Sequence, residues 1–168
     1  MSTAQVIVLA DAAATERIGA ALAQALTARP GTIVYLRGDL GAGKTTLARG
    51  WLRALGVSGP IRSPTYTLIE PYRCNERDVL HMDLYRLQDP DELDALGLDD
   101  YPPRQSDWLV EWPERGAGRL PAADLELNLQ VFEQKRKLEI VTCAEIAALL
   151  APALLSFFEE MSGLDIKH

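Results

Sequence analysis

Three observations predict a single α/β domain. Strand-like and helix-like segments alternate along 168 residues, a glycine-rich octapeptide separates one such strand from one such helix, and 48% of the chain is apolar against 24% charged. That apolar share suits one hydrophobic core and excludes a disordered tail or a small stapled scaffold. No repeat, low-complexity tract or linker divides the chain, so residues 1–168 read as one domain, with residues 143–168 as its C-terminal helical tail.

Val6 to Leu9 is a β-branched run and predicts a strand. Thr15 to Ala28 places Ile18, Leu22 and Leu26 at every fourth position, the spacing of an amphipathic helix. After the Pro30-Gly31 turn, Thr32 to Leu36 is short, apolar and rich in β-branched and aromatic residues, as a buried strand should be. Lys44 to Leu55 carries Leu47, Trp51, Leu52 and Leu55 with helical spacing and stops at Gly56. Tyr66 to Tyr72 and Val79 to Tyr85 predict a strand pair around a polar turn at Asn75. In the second, a period of two separates Leu80, Met82 and Leu84 from His81, Asp83 and Tyr85, a packed face from a working face.

Asp89-Pro90-Asp91-Glu92 has the form of a capping box with proline at the first helical position, so a short acidic helix is expected to Leu96, closed by Gly97. Trp108 to Glu111 predicts a strand ending in Trp112-Pro113. Leu125 to Leu129 and Leu138 to Val141 predict two late strands. Thr142-x-x-Glu145 predicts the cap of a terminal helix carrying Ile146, Leu149, Leu150 and Leu154, kinked or ended at Pro152.

Seventeen Lys and Arg against 24 Asp and Glu leave a net charge of −7, which argues against a chain that grips DNA or RNA by itself. The whole excess lies in residues 75–100, with nine acids and two bases. Residues 37–73 run the other way, with six bases and two acids, and are the best place for an anion site. Cys74 and Cys143, with His81 and His168, are too few and too scattered for a zinc site or a disulfide framework, so both cysteines are expected to be reduced and structural. Met1 to Gln5 lacks a positive n-region, and Pro152 and Ser156 interrupt the apolar stretch Ile146 to Phe158 short of a membrane span. The expectation is a soluble, cytoplasmic protein with no membrane partner.

The chemistry concentrates in Gly38-Asp39-Leu40-Gly41-Ala42-Gly43-Lys44-Thr45, which fits G-x-x-x-x-G-K-[ST] between a predicted buried strand and a predicted helix. Glycines let consecutive N–H groups point at phosphate oxygens at the positive end of the helix dipole. Lys44 then neutralises the β- and γ-phosphates and the Thr45 hydroxyl binds Mg²⁺. Such a loop needs a metal-side carboxylate at a strand end, and both Asp83 and Glu111 qualify. Ser63-Pro64-Thr65-Tyr66-Thr67 lies between the loop helix and the Asp83 strand. Its hydroxyls either contact the γ-phosphate or its metal, as in switch loops, or satisfy the backbone of a turn.

Four segments in this order, Gly38 to Thr46, Ser63 to Leu68, His81-Met82-Asp83-Leu84-Tyr85-Arg86 and Glu111-Trp112-Pro113, resemble the TsaE (YjeE) family of small bacterial P-loop ATPases over about residues 6–142. The resemblance implies an α/β fold: a single, three-layer P-loop NTPase domain whose mixed sheet has a parallel core flanked by antiparallel strands. It implies ATP and Mg²⁺ as cofactors. It implies an ATPase that works with TsaB and TsaD to make threonylcarbamoyladenosine next to the tRNA anticodon, reaching tRNA through those partners.

Carried onto this chain, the resemblance makes Lys44 the phosphate clamp, with Asp39, Gly41, Ala42, Gly43 and Thr46 around the phosphates. Thr45 becomes a metal ligand, with Asp83 and Glu111 on the metal side. Thr65 becomes the switch-loop hydroxyl, and Trp112 stands beside the site, holding Glu111 or covering the nucleotide. The segment Ala10 to Thr15, through Ala12 and Thr15, is expected near adenine. Where the family has a late Gly-Arg pair near the nucleotide, this sequence has Lys135-Arg136, so Arg136 is the candidate.

Two other uses of such a domain fit the motif. A small-molecule kinase needs a substrate lid with several arginines, and no Arg-rich insertion is present; a nucleotide-gated binding module needs no chemistry at all. A GTPase is disfavoured, because Asn75-Glu76-Arg77-Asp78 lacks the lysine of a guanine-specificity motif.

Overall fold

The strand Ile33–Arg37 alternates Val34 and Leu36 toward one face and Ile33 and Tyr35 toward the other, so both its faces are apolar. A strand of that kind belongs inside a sheet covered on both sides. The computed structural model, which describes residues 1–164, places it (β2) at the centre of a seven-stranded sheet. The other strands are β1 (Ser2–Leu9), β3 (Ile69–Cys74), β4 (Arg77–Asp83), β5 (Ser106–Glu111), β6 (Leu125–Phe132) and β7 (Lys135–Cys143), and the spatial order is β1-β7-β6-β2-β5-β4-β3. His168, the second histidine of the chain, lies outside the described residues.

β6, β2, β5 and β4 run parallel, whereas β1–β7, β7–β6 and β3–β4 are antiparallel, which is the mixed sheet expected. On one face pack three helices, α1 (Ala12–Ala25), α2 (Lys44–Ala54) and α3 (Ala144–Leu164), burying Ile18, Leu22, Leu47, Trp51, Ile146 and Leu150 against Val34, Leu36, Leu109 and Leu127. The third layer is built from 3-10 turns rather than α-helices. Pro90–Ala95 buries Leu93, and a connecting segment buries Leu84 and Leu87, against Leu80, Met82, Trp108 and Val110.

Several boundaries move for identifiable reasons. α1 starts at Ala12 rather than Thr15 because Asp11 caps it, its carboxylate accepting from Ala14 N at 2.7 Å. The strand expected at Tyr66 begins at Ile69: Leu68 N donates to Pro64 O at 2.9 Å and Leu68 turns left-handed at φ +64°, closing a loop first. The Asp89 capping box forms as read, but the helix it starts is 3-10. Arg119 reaches back to Asp91 and Asp94 there, offsetting part of the local acidity.

Thr142 does not cap α3. It stays in β7, and its hydroxyl donates to Asp124 O at 2.7 Å. α3 also runs on through Pro152, so Ala144–Gly163 is long and apolar enough to cross a membrane by length and composition, contrary to the sequence expectation. A stripe of Ile146, Leu150, Leu154 and Phe157 is buried in the core on both sides of the proline, while Leu149, Leu155 and Phe158 stay exposed. Both cysteines are free; Cys74 is buried, but Cys143, at the last position of β7, is exposed and not a core residue.

Candidate functional site

The link from β2 to α2 has to reverse within six residues, and the glycines permit it. Gly43, the N-cap of α2, has φ +106°, and a Cβ on Gly38 would stand 2.5 Å from the Leu129 carbonyl oxygen. The loop wraps around the Lys44 ammonium, which donates to the carbonyls of Gly38 at 2.6 Å and Asp39 at 2.9 Å. The same nitrogen lies 4.3 Å from the centre of the Trp112 ring. Burial pushes the Lys44 pKa down, and the negative charges of Glu111 and Asp83 oppose that shift. Trp112 therefore packs on the lysine, a role beyond either alternative read from its position.

Parallel pairing sets Asp83, the last residue of β4, directly beside Glu111, the last residue of β5. Both carboxylates are buried. Glu111 accepts from the Thr45 hydroxyl at 2.9 and 3.1 Å, and its Oε1 lies 2.8 Å from His81 Nε2. Asp83 accepts from the hydroxyls of Ser63 and Thr65, the latter at 3.4 Å, and from Tyr85 N at 3.0 Å. The loop hydroxyls thus serve the carboxylate rather than the turn backbone. The supposed working face of β4 is as buried as its packed face, with His81 fully enclosed; only its Asp83 end opens outward, and Tyr85 lies beyond the strand.

These groups surround a cavity of 480 Å³ lined by Gly41, Gly43, Lys44, Thr45, Thr46, Thr65, Asp83, Glu111 and Trp112, together with Ser63, Tyr85 and Arg86. A smaller hollow of 130 Å³ opens on the other side of the loop, between Asp11, Ala12, Thr15, Gly43, Gln134 and Arg136. Arg136 reaches the loop from β7 without a preceding glycine, its Nη2 3.3 Å from Gly41 O. Two expected residues line neither hollow. Ala42 is turned into the core, and Asp39 is exposed, contributing its carbonyl to Lys44.

His81, Arg86 and Gln134 join the site without having been singled out as site residues, whereas Ser63 belongs to the hydroxyl loop and Asp11 to the segment Ala10 to Thr15 expected there. His81 and Arg86 carried a signal, since both belong to the His81-to-Arg86 motif. Gln134 is brought in only by tertiary packing.

Among the described residues no group of three or more His, Cys, Asp or Glu could hold a metal ion alone. The donors present are hard oxygens, Thr45, Asp83 and Glu111, on one cavity wall. They fit Mg²⁺, which takes one or two carboxylates and completes its shell with water and substrate phosphates.

A family model described as "Threonylcarbamoyl adenosine biosynthesis protein TsaE" matches residues 9–138. The chain belongs to the TsaE family. It is 49% identical over 109 residues to the tRNA threonylcarbamoyladenosine biosynthesis protein TsaE of Haemophilus influenzae, covering 65% of this chain and 69% of that one. To the TsaE protein of Bacillus subtilis it is 42% identical over 103 residues, covering 61% and 64%. The crystal structure of Bacillus subtilis YdiB superposes with a TM-score of 0.71 at 29% identity, covering 98% of both chains. All four motifs that carry the TsaE resemblance fall inside the matched region.

Proposed function

We propose that this chain binds ATP with Mg²⁺ at the Gly38–Thr45 loop and hydrolyses it in support of threonylcarbamoyladenosine synthesis next to the tRNA anticodon. It works with TsaB and TsaD, in the cytoplasm, and meets tRNA through them. The observation that carries this reading is the convergence of Lys44, Thr45, Asp83 and Glu111 on one 480 Å³ cavity, in a chain of the TsaE family.

The loop amides and Lys44 take the β- and γ-phosphates, for which Lys44 exchanges its present carbonyl partners. Trp112 keeps that ammonium in place from below. The hollow between Ala12, Thr15 and Arg136 takes the adenosine side. Thr45, Asp83 and Glu111 would hold Mg²⁺, which would supply charge neutralisation for the phosphates. Water oxygen attacks the γ-phosphorus and the bond to the β,γ-bridging oxygen breaks, its electron pair leaving on ADP. The carboxylate of Glu111 orients the water and accepts its proton, which is released with inorganic phosphate.

Catalysis here is positioning and charge neutralisation, so turnover of the isolated chain is expected well below the ~10 s⁻¹ of a typical enzyme and rises with partners. The test is reconstitution with TsaB, TsaD and tRNA, scoring modified adenosine by mass spectrometry. Modification with ATP, and none with a non-hydrolysable analogue or with Lys44→Ala, supports the reading. Full modification with the analogue overturns the hydrolytic step and leaves a nucleotide-gated binding module.

A further inference from the structure

The cavity is lined by two cations, Lys44 and Arg86. Lys44 is committed to the loop carbonyls and the Trp112 ring. Arg86 is exposed at the cavity rim, and among the described residues it has no carboxylate within ion-pair distance. Arg29, Arg37, Arg73, Arg77 and Arg119 do have one, and of the described arginines that do not, Arg86 is the one that lines this cavity. An unpaired guanidinium beside two buried carboxylates is what a site built for a polyanion needs.

Its placement is rigid. Tyr85 N donates to the Asp83 carboxylate, Leu84 N to Glu111 O at 3.1 Å and Leu87 N to Leu84 O at 3.0 Å, while Leu84 and Leu87 are buried on either side. The turn that presents Arg86 is therefore nailed to the same two acids that stand on the metal side. The guanidinium stacks 4.6 Å from the ring centre of Tyr66, a residue 85% exposed in the loop whose Ser63 and Thr65 hydroxyls hold Asp83.

We propose that Arg86 is the arginine, supplied by the chain itself, that stabilises charge on the transferring γ-phosphoryl group, with Tyr66 as the platform from which it swings. The proposal deepens the ATPase reading and rests on it. As the bond to the bridging oxygen breaks and its pair moves onto ADP, negative charge spreads over the equatorial oxygens and the leaving oxygen, where a guanidinium offers two parallel donors. The charge acts mainly in the transition state, so the effect falls on turnover and not on ground-state affinity. An alternative in which Arg86 only staples the loop through its stack predicts the same loss from either partner of the pair.

The experiment compares wild type, Arg86→Ala, Arg86→Lys and Tyr66→Leu. Binding of ADP and of ADP with aluminium fluoride is titrated in magnesium buffer, and single-turnover ATP hydrolysis is timed with the partner proteins present. Arg86→Ala is expected to keep ADP affinity within about threefold, which also reports that it folds, and to lose turnover and aluminium-fluoride trapping by about 100-fold or more. Arg86→Lys should regain part of the loss, and Tyr66→Leu, which removes the platform but keeps the guanidinium, should lose trapping by no more than about a tenth of the Arg86→Ala loss. Trapping unchanged in Arg86→Ala, or lost equally in Tyr66→Leu, overturns the proposal while wild-type hydrolysis stands. Absence of Mg²⁺-dependent ATP binding in wild type itself overturns the ATPase reading, and this inference with it.

Discussion

Asp107 and Glu111 stand four residues apart on β5, on the same face, and both are buried. At the Asp107 end the carboxylate accepts from Thr32 N at 2.8 Å and from Arg77 Nη1 at 3.0 Å, and Arg77 in turn donates to the Thr27 and Arg29 carbonyls in the turn after α1. At the Glu111 end the partners are a hydroxyl and an imidazole, no arginine or lysine among the described residues pairs with the carboxylate, and a cavity opens beside it. A carboxylate, the strand and burial are shared; saturation is what differs. A buried acid with a cation and an N–H in place is finished as structure, whereas one held by groups that can exchange partners is available for chemistry. The position along the sheet agrees, since Glu111 lies at the carboxyl ends of the parallel strands, where open α/β sheets place their ligands.

The largest effect is expected from Lys44→Ala, which removes the cation facing Glu111. ATP hydrolysis with partners should fall by about 10³-fold or more, and nucleotide binding by calorimetry should weaken with it, while the thermal transition stays near wild type. Glu111→Gln should cost about 10²–10³ in turnover with ATP affinity preserved. A fall in stability larger than the fall in turnover would instead place Glu111 with Asp107 as a structural acid.

Asp107→Ala reverses the pattern. Leaving Arg77 without its carboxylate and Thr32 N–H without its acceptor should destabilise by about 3 kcal/mol in urea unfolding, with nucleotide affinity of the folded protein unchanged.

The smallest effect is in pH. Burial raises the Asp107 pKa despite the opposing Thr32 N–H and Arg77. The native state therefore keeps a proton that the unfolded chain has lost from about pH 4 upward. Stability from this group is greatest below that value and declines as pH rises through the raised one. Urea midpoints measured across mildly acidic pH should show this slope in wild type and lose it in Asp107→Asn.

Much of the site was legible because phosphate binding imposes fixed spacing along the chain. Gly38 to Thr45, the strand-end acids and the loop hydroxyls are read from local rules of turn, cap and strand end. His81 was visible as a neighbour of Asp83 on its strand, yet its contact with Glu111 requires knowing that β4 and β5 are adjacent and in register. Asp11 and Gln134 meet only because β7 folds back beside the loop, and no local rule relates residues that far apart. The same limit explains Thr142, whose capping pattern was genuine but lost to pairing with β1 and β6.

The sequence by itself determined the P-loop, the alternating elements and the family, because these follow from backbone conformation and from periodicities within a few residues. Only the tertiary structure decided which acid is saturated and which is free to work, which cation is spent and which is unpaired. Those properties depend on what stands across a gap of about 3 Å, and non-local packing alone settles that.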